Sequence, residues 1–174
     1  MAAVGPFGTG EHPIASALVY NTFVAQRAEA TLRMDLRWKG VLGSAVGANT
    51  DAGVDIEIIV RELDPVTKQP VNTLPNMPFS VMSESIGLAT VQGFDSLVLE
   101  DTRQVSIPMR LNPGGLYRID LKITCDTRVA FSAAATTCAF WDDDGGVEWT
   151  RQVIEYDIGI CTPNQQGAGC IYPN

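Results

Sequence analysis

An all-β fold, a single antiparallel β-sandwich of about eight short strands with little or no helix, is what this chain predicts. Three observations carry the prediction. Apolar residues alternate with polar ones along most of the 174 residues. Clusters of Pro, Gly, Asn and Asp punctuate those runs at short intervals. The composition, 45% apolar and 18% charged, is that of a folded domain with a core of its own. The two sandwich versions that fit are immunoglobulin-like and jelly-roll.

The chain opens with a Gly- and Pro-rich stretch, and residues 1–15 read as a flexible lead to a sandwich domain over 16–161, followed by a tail over 162–174. No basic region followed by an apolar one marks a signal peptide at the start. Residues 14–30 hold several helix formers, yet Val19, Tyr20, Thr22, Phe23 and Val24 favour a strand, and a strand is the reading adopted. Its first part, HPIASALVYNTFVAQ at 12–26, carries no charge after His12. It can complete its own sheet or add to a neighbour's, with Leu18, Tyr20 and Phe23 as its contact residues.

Ala30, Leu32, Met34, Leu36 and Trp38 then alternate with Thr31, Arg33, Asp35 and Arg37, the period of a strand with one face in a core. GSAVGANTDAG at 43–53 reads as a flexible connection. Val54, Ile56, Ile58 and Val60 form the next buried face. Asp64-Pro65 opens a loop, and Leu74 to Pro78 forms an irregular stretch. In the run Val105, Ile107, Met109, Leu111, Pro108 removes a ladder donor and points to an edge strand or a bulge. NPGG at 112–115 reads as a hairpin turn into Tyr117, Ile119, Leu121 and Ile123, with Arg118, Asp120 and Lys122 facing water. Residues 131–141 are rich in small side chains and read as a strand with a crowded neighbour. Ile154, Tyr156, Ile158 and Ile160 close the set.

The stretch FWDDDGGVEW at 140–149 is the densest in chemistry. Asp142, Asp144 and Glu148 could ligate calcium, but the spacing does not match an EF-hand loop. A hairpin tip over 142–146 is preferred, because Asp and Gly tolerate left-handed angles there. Calcium remains an optional ligand that would relieve repulsion among adjacent acids. Trp141 and Trp149 could stack on sugar rings or a partner; packing against each other to close one end of the core is preferred.

The four cysteines, Cys125, Cys138, Cys161 and Cys170, lack zinc-site spacing, and the one histidine is remote. Cys161 and Cys170 bracket a loop that a local bridge could close. Cys125 and Cys138 then remain, but a tight turn at 126–128 would carry Cys138 out of reach. That bridge requires 126–137 to be a longer excursion. Oxidised cysteines point to an extracellular or cell-surface setting.

The formal charge of −8 and the absence of a Lys/Arg stripe argue against nucleic acid, and no segment reaches membrane-spanning length. A lone histidine and no Gly-rich phosphate loop before a helix leave no catalytic constellation. The runs EATLRMDLRWKGVL, VDIEIIVRELDPVTKQPV and LNPGGLYRIDLKIT resemble the general pattern of uncharacterised secreted microbial β-sandwich domains. That resemblance implies architecture and transfers no functional residue. The expected function is that of a non-catalytic, secreted structural or adhesive subunit, assembling with itself into an oligomer or filament, or with other proteins. The alternatives are a carbohydrate-binding module, calcium-assisted or not, and a viral or phage jelly-roll protein.

Overall fold

The alternating runs become long antiparallel strands in a computed structural model that describes residues 2–4, 14–45, 50–88, 94–129, 135–140 and 146–156. In chain order these are β1 (Ala2–Val4), β2 (Ile14–Val24), β3 (Glu29–Ala45), β4 (Thr50–Leu63) and β5 (Pro70–Thr73). They continue with β6 (Phe79–Leu88), β7 (Phe94–Arg110), β8 (Leu116–Val129), β9 (Ala135–Ala139) and β10 (Gly146–Tyr156). Among the described residues there is no helix.

Two five-stranded sheets pack face to face. In the first, β3 is central. β7 pairs along one side of it; β10 and β9 share the other side, with β1 beyond β9. In the second, the order is β2, β8, β4, with β5 and β6 sharing the far side of β4. The core lies between them. Leu32, Met34, Leu36 and Trp38 from β3 meet Val54, Ile56, Ile58 and Val60 from β4, and Tyr117, Ile119 and Leu121 from β8 complete the layer. These are the faces that period two selected, and Val105, Ile107 and Met109 of β7 are buried likewise.

Four expectations are corrected here. The stretch 43–53 is largely strand: β3 runs on to Ala45 and β4 begins at Thr50. Part of the N-terminal lead is sheet, because Ala2–Val4 finds an open ladder on β9, and β2 already starts at Ile14. NPGG does make a tight turn, with Gly114 at φ 82° and the Gly115 N–H donating to the Asn112 carbonyl at 2.9 Å. Its flanking strands, however, belong to different sheets, so it is an arch over the core and not a hairpin. The hydroxyl of Tyr117 secures that arch by accepting the Asn112 N–H at 2.8 Å. Burial raises the pKa of this phenol, against the lowering effect of the bond from Asn112.

The fourth correction concerns FWDDDGGVEW. β9 and β10 do not pair with each other. Both run antiparallel to β3, in line, with Ala139 opposite Val41 and Gly146 opposite Lys39. The line formed by β9 and β10 is thus broken opposite the single position Gly40, and residues 141–145 of the expected tip lie outside the described residues. That geometry explains Gly40: a Cβ there would lie 2.5 Å from the ring of Phe140. Replacing Gly40 with Ala should cost roughly 2 kcal/mol by overpacking. Urea unfolding would measure it, and Phe140→Leu in the same chain should recover part of the loss. Equal stability of Gly40→Ala and wild type would contradict the contact.

Pro108 sits where its missing donor predicts, on β7, an edge strand opposite Thr31. Asp64 closes the β4–β5 loop, its carboxylate accepting the N–H groups of Thr67 at 2.6 Å and Val66 at 2.9 Å. Those bonds, led by Thr67, hold its pKa below the ordinary carboxylate range.

Candidate functional site

Every open sheet needs a device that keeps its edges from pairing with other chains. Among the described residues, five of the six edges have one. β1 is only three residues long. β5 is four residues long and begins with Pro70. β6 carries Glu84, and its pairing with β4 shifts register at Ile56/Glu57. β7 carries Pro108 with Glu100, Asp101, Arg103 and Arg110. β10 carries Glu148, Arg151 and Glu155, and its ladder is irregular between Trp149 and Arg151. The sixth edge is β2. Its eleven residues, IASALVYNTFV, contain no charge and no proline. It pairs with β8 at every position from Ile14–Asp126 to Val24–Leu116 without a register shift.

The two faces of β2 differ. Ala15, Ala17, Val19, Asn21 and Phe23 lie opposite Cys125, Ile123, Leu121, Ile119 and Tyr117, and so on the core side of the sheet. Phe23 stacks on Tyr117 with ring centroids 5.6 Å apart. Val19 nevertheless remains 52% exposed, so the middle of β2 overhangs the facing sheet. On the outer face Ile14, Leu18, Tyr20 and Val24 are exposed. The Arg118 guanidinium sits over the Tyr20 ring, 5.3 Å from its centroid.

The backbone shows which groups of β2 are open. The Ala25 N–H donates to the Gly115 carbonyl, so the pair 25–115 is hydrogen-bonded. In an antiparallel ladder such pairs alternate, which turns the odd-numbered residues of β2 toward β8 and the even-numbered ones outward. Two further contacts agree. The Thr22 N–H donates to its neighbour's Asn21 Oδ1 at 2.8 Å, and the Val24 carbonyl accepts the Tyr156 hydroxyl at 3.5 Å. Ile14, Ser16, Leu18 and Tyr20 thus turn their N–H and C=O groups to the free edge, as Thr22 does its C=O, while the Thr22 N–H is held by Asn21 Oδ1.

Of the sequence-selected contact residues, Leu18 and Tyr20 share the outer face, while Phe23 points the other way. Glu148 is exposed opposite Arg37, and Trp149, opposite Leu36, is packed partly buried against the core. Trp141, Asp142, Asp144, Cys161 and Cys170 lie outside the described residues. Cys125 and Cys138 are bridged, with S–S 2.01 Å and Cα atoms 5.8 Å apart. Residues 126–128 continue β8 and make no turn, and Cys138 comes back in the facing sheet, so the bridge spans the core.

Sequence reasoning missed Val19 and Val24 as exposed groups, because period two gives the face of a residue but not where the opposite sheet ends. It also placed Asp120 in water. Asp120 is fully buried on the outer face of β8, paired with Arg61 and with Arg118, whose Nε lies 2.8 Å from Oδ1.

The other side of the sandwich holds an open cleft of ≈ 700 Å³ between β6 and β7, with Glu84, Glu100 and Asp101 on its walls. Trp38 forms part of that cleft but is 4% exposed, and presents no ring face for stacking on a sugar. No group of three His, Cys, Asp or Glu side chains converges on a metal-sized site among the described residues. No known protein-family model matches the chain, and no curated protein matches it.

Proposed function

We propose that this chain is a non-catalytic structural or adhesive subunit of the extracellular space that assembles with copies of itself or with other proteins by strand addition to β2. The observation that supports it is the contrast among edges: β2 is long, uncharged, unbulged and exposed, while its counterparts carry charge, proline, bulges or too few residues. Backbone groups on such an edge supply affinity, and alternating side chains supply register. The bridge between Cys125 and Cys138 supports an oxidising compartment.

The test is solution mass by size exclusion with light scattering. The wild-type protein is expected to run above its 18.7 kDa chain mass. Leu18→Lys with Val19→Lys is expected to run as a monomer with an unchanged melting temperature, since both positions are exposed. Lysine on an edge strand is a common natural safeguard against pairing. Point substitutions are preferable to deleting β2, which would uncover Leu121 and Tyr117 on β8. A wild-type monomer at every concentration, or an oligomer indifferent to the lysines, would overturn the proposal.

A further inference from the structure

We infer that the occupant of the β2 edge is a second copy of β2, paired antiparallel about a two-fold axis at Val19 to join two five-stranded sheets into one of ten strands. This rests on the proposed assembly through β2 and specifies its partner, register and symmetry.

The hydrogen-bond parity limits the registers. Only even-numbered residues of β2 turn their N–H and C=O outward. An antiparallel partner must therefore set even against even. About a two-fold axis, residue numbers of facing pairs then sum to an even value. A sum of 38 is the choice that uses the whole strand, since 14 then faces 24 and 19 faces itself.

The side chains fit that register. On the outer face Ile14 meets Val24, Ser16 meets Thr22 and Leu18 meets Tyr20. On the inner face Val19 meets Val19, Ala17 meets Asn21, and Phe23 lies across from Ala15. Read from either end, the strand offers apolar against apolar, hydroxyl against hydroxyl, and its largest ring against a small residue. Such pairs are the unit of sheet stabilisation. A two-fold interface requires this self-complementarity, because each copy supplies the same surface.

Charge favours the same contact. Copies carrying a net charge of −8 repel one another, and β2 is the long edge that brings no charge to the contact. The Tyr156 hydroxyl at the Val24 carbonyl and the Gln26 N–H marks the end of the open ladder. Because the interface is isologous, each β2 is used once, and assembly through it stops at a dimer.

Cysteine cross-linking tests this directly. In the stated register the two Val19 residues form a non-hydrogen-bonded pair with Cα atoms about 4.5 Å apart, within the range that a disulfide can bridge. Mildly oxidised Val19→Cys protein should become a covalent dimer, with peptide mapping linking position 19 of both copies. Ala17→Cys alone should not cross-link to itself, but should do so when mixed with Asn21→Cys. Melting curves of the reduced variants check that each is folded. If the wild-type protein is an oligomer that the Leu18→Lys, Val19→Lys pair dissolves, yet Val19→Cys stays uncoupled or Ala17→Cys couples to itself, the two-fold register is wrong and strand addition to β2 still stands. If the wild-type protein is a monomer, or an oligomer that the lysines leave intact, both are overturned.

Discussion

Replacing Cys125 and Cys138 together with Ala is expected to lower the unfolding free energy by roughly 3 kcal/mol. The bridge closes a loop with a sequence separation of 13, and joins β8 in one sheet to β9 in the other. Its removal frees the denatured chain to explore conformations that the closed loop forbids. It also removes two sulfur atoms from a layer in which Cys125 and Cys138 are both buried. For a domain of this size the melting temperature should fall by about 6–12 °C. Urea unfolding of wild type and double variant under oxidising conditions provides the measurement. Reduction of the wild type should reproduce most of the difference. A loss below about 1 kcal/mol would mean that the bridge holds little of the fold together. The solution mass of the double variant should match that of the wild type, because the free edge of β2 faces away from the bridge-bearing strand. Stability and assembly are thereby separable.

Much of this architecture is legible in the alternation. The buried faces of β3, β4, β7 and β8 are the ones that period two selects, and Pro108 correctly marks an edge. What alternation cannot carry is the identity of the neighbouring strand. The chain changes sheet between β1 and β2, β2 and β3, β3 and β4, β6 and β7, β7 and β8, and β8 and β9. A Pro-Gly turn between two alternating runs looks the same whether those runs pair or arch over the core. This is why NPGG misled, and why the reach of Cys125 to Cys138 could be stated only as a condition. FWDDDGGVEW misled for a related reason: acids and glycines between two runs look the same whether the flanking strands pair with each other or, as β9 and β10 do, lie in line against β3.

The candidate edge was half legible. The absence of charge over residues 14–24 is plain in the sequence, and it drew attention to Leu18 and Tyr20. The comparison that gives it meaning is structural. Only once β1, β5, β6, β7 and β10 are known to be edges do their charges, prolines, bulges and short lengths become a pattern that β2 breaks. The overhang of Val19, which supplies the proposed axis, depends on where the facing sheet ends and leaves no local trace.

Asp120→Ala should destabilise the fold by roughly 3 kcal/mol, at the lower end of the range for breaking a buried ion pair. Asp120 stands on β8 between Tyr20 of β2 and Ile59 of β4. Its carboxylate is wholly buried beneath the Arg61 and Arg118 side chains, which retain 24% and 23% exposure. That residual hydration moderates the cost. Removing the carboxylate leaves two guanidinium groups facing one another across the β4–β8 ladder, where Arg61 is directly opposite Arg118. Asp120→Asn should lose nearly as much, because shape is kept and charge is not. Adding Arg61→Met to Asp120→Ala should recover stability, since the repulsion disappears with one of its members. A cycle of single and double variants in urea measures that coupling. The same network bears on β2: Arg118 holds the Tyr20 ring while Asp120 holds Arg118. Loss of Asp120 should therefore also loosen Tyr20, and the oligomer should dissociate at a higher protein concentration than the wild type does. Unchanged stability in Asp120→Ala would show that the two arginines find sufficient solvation without it.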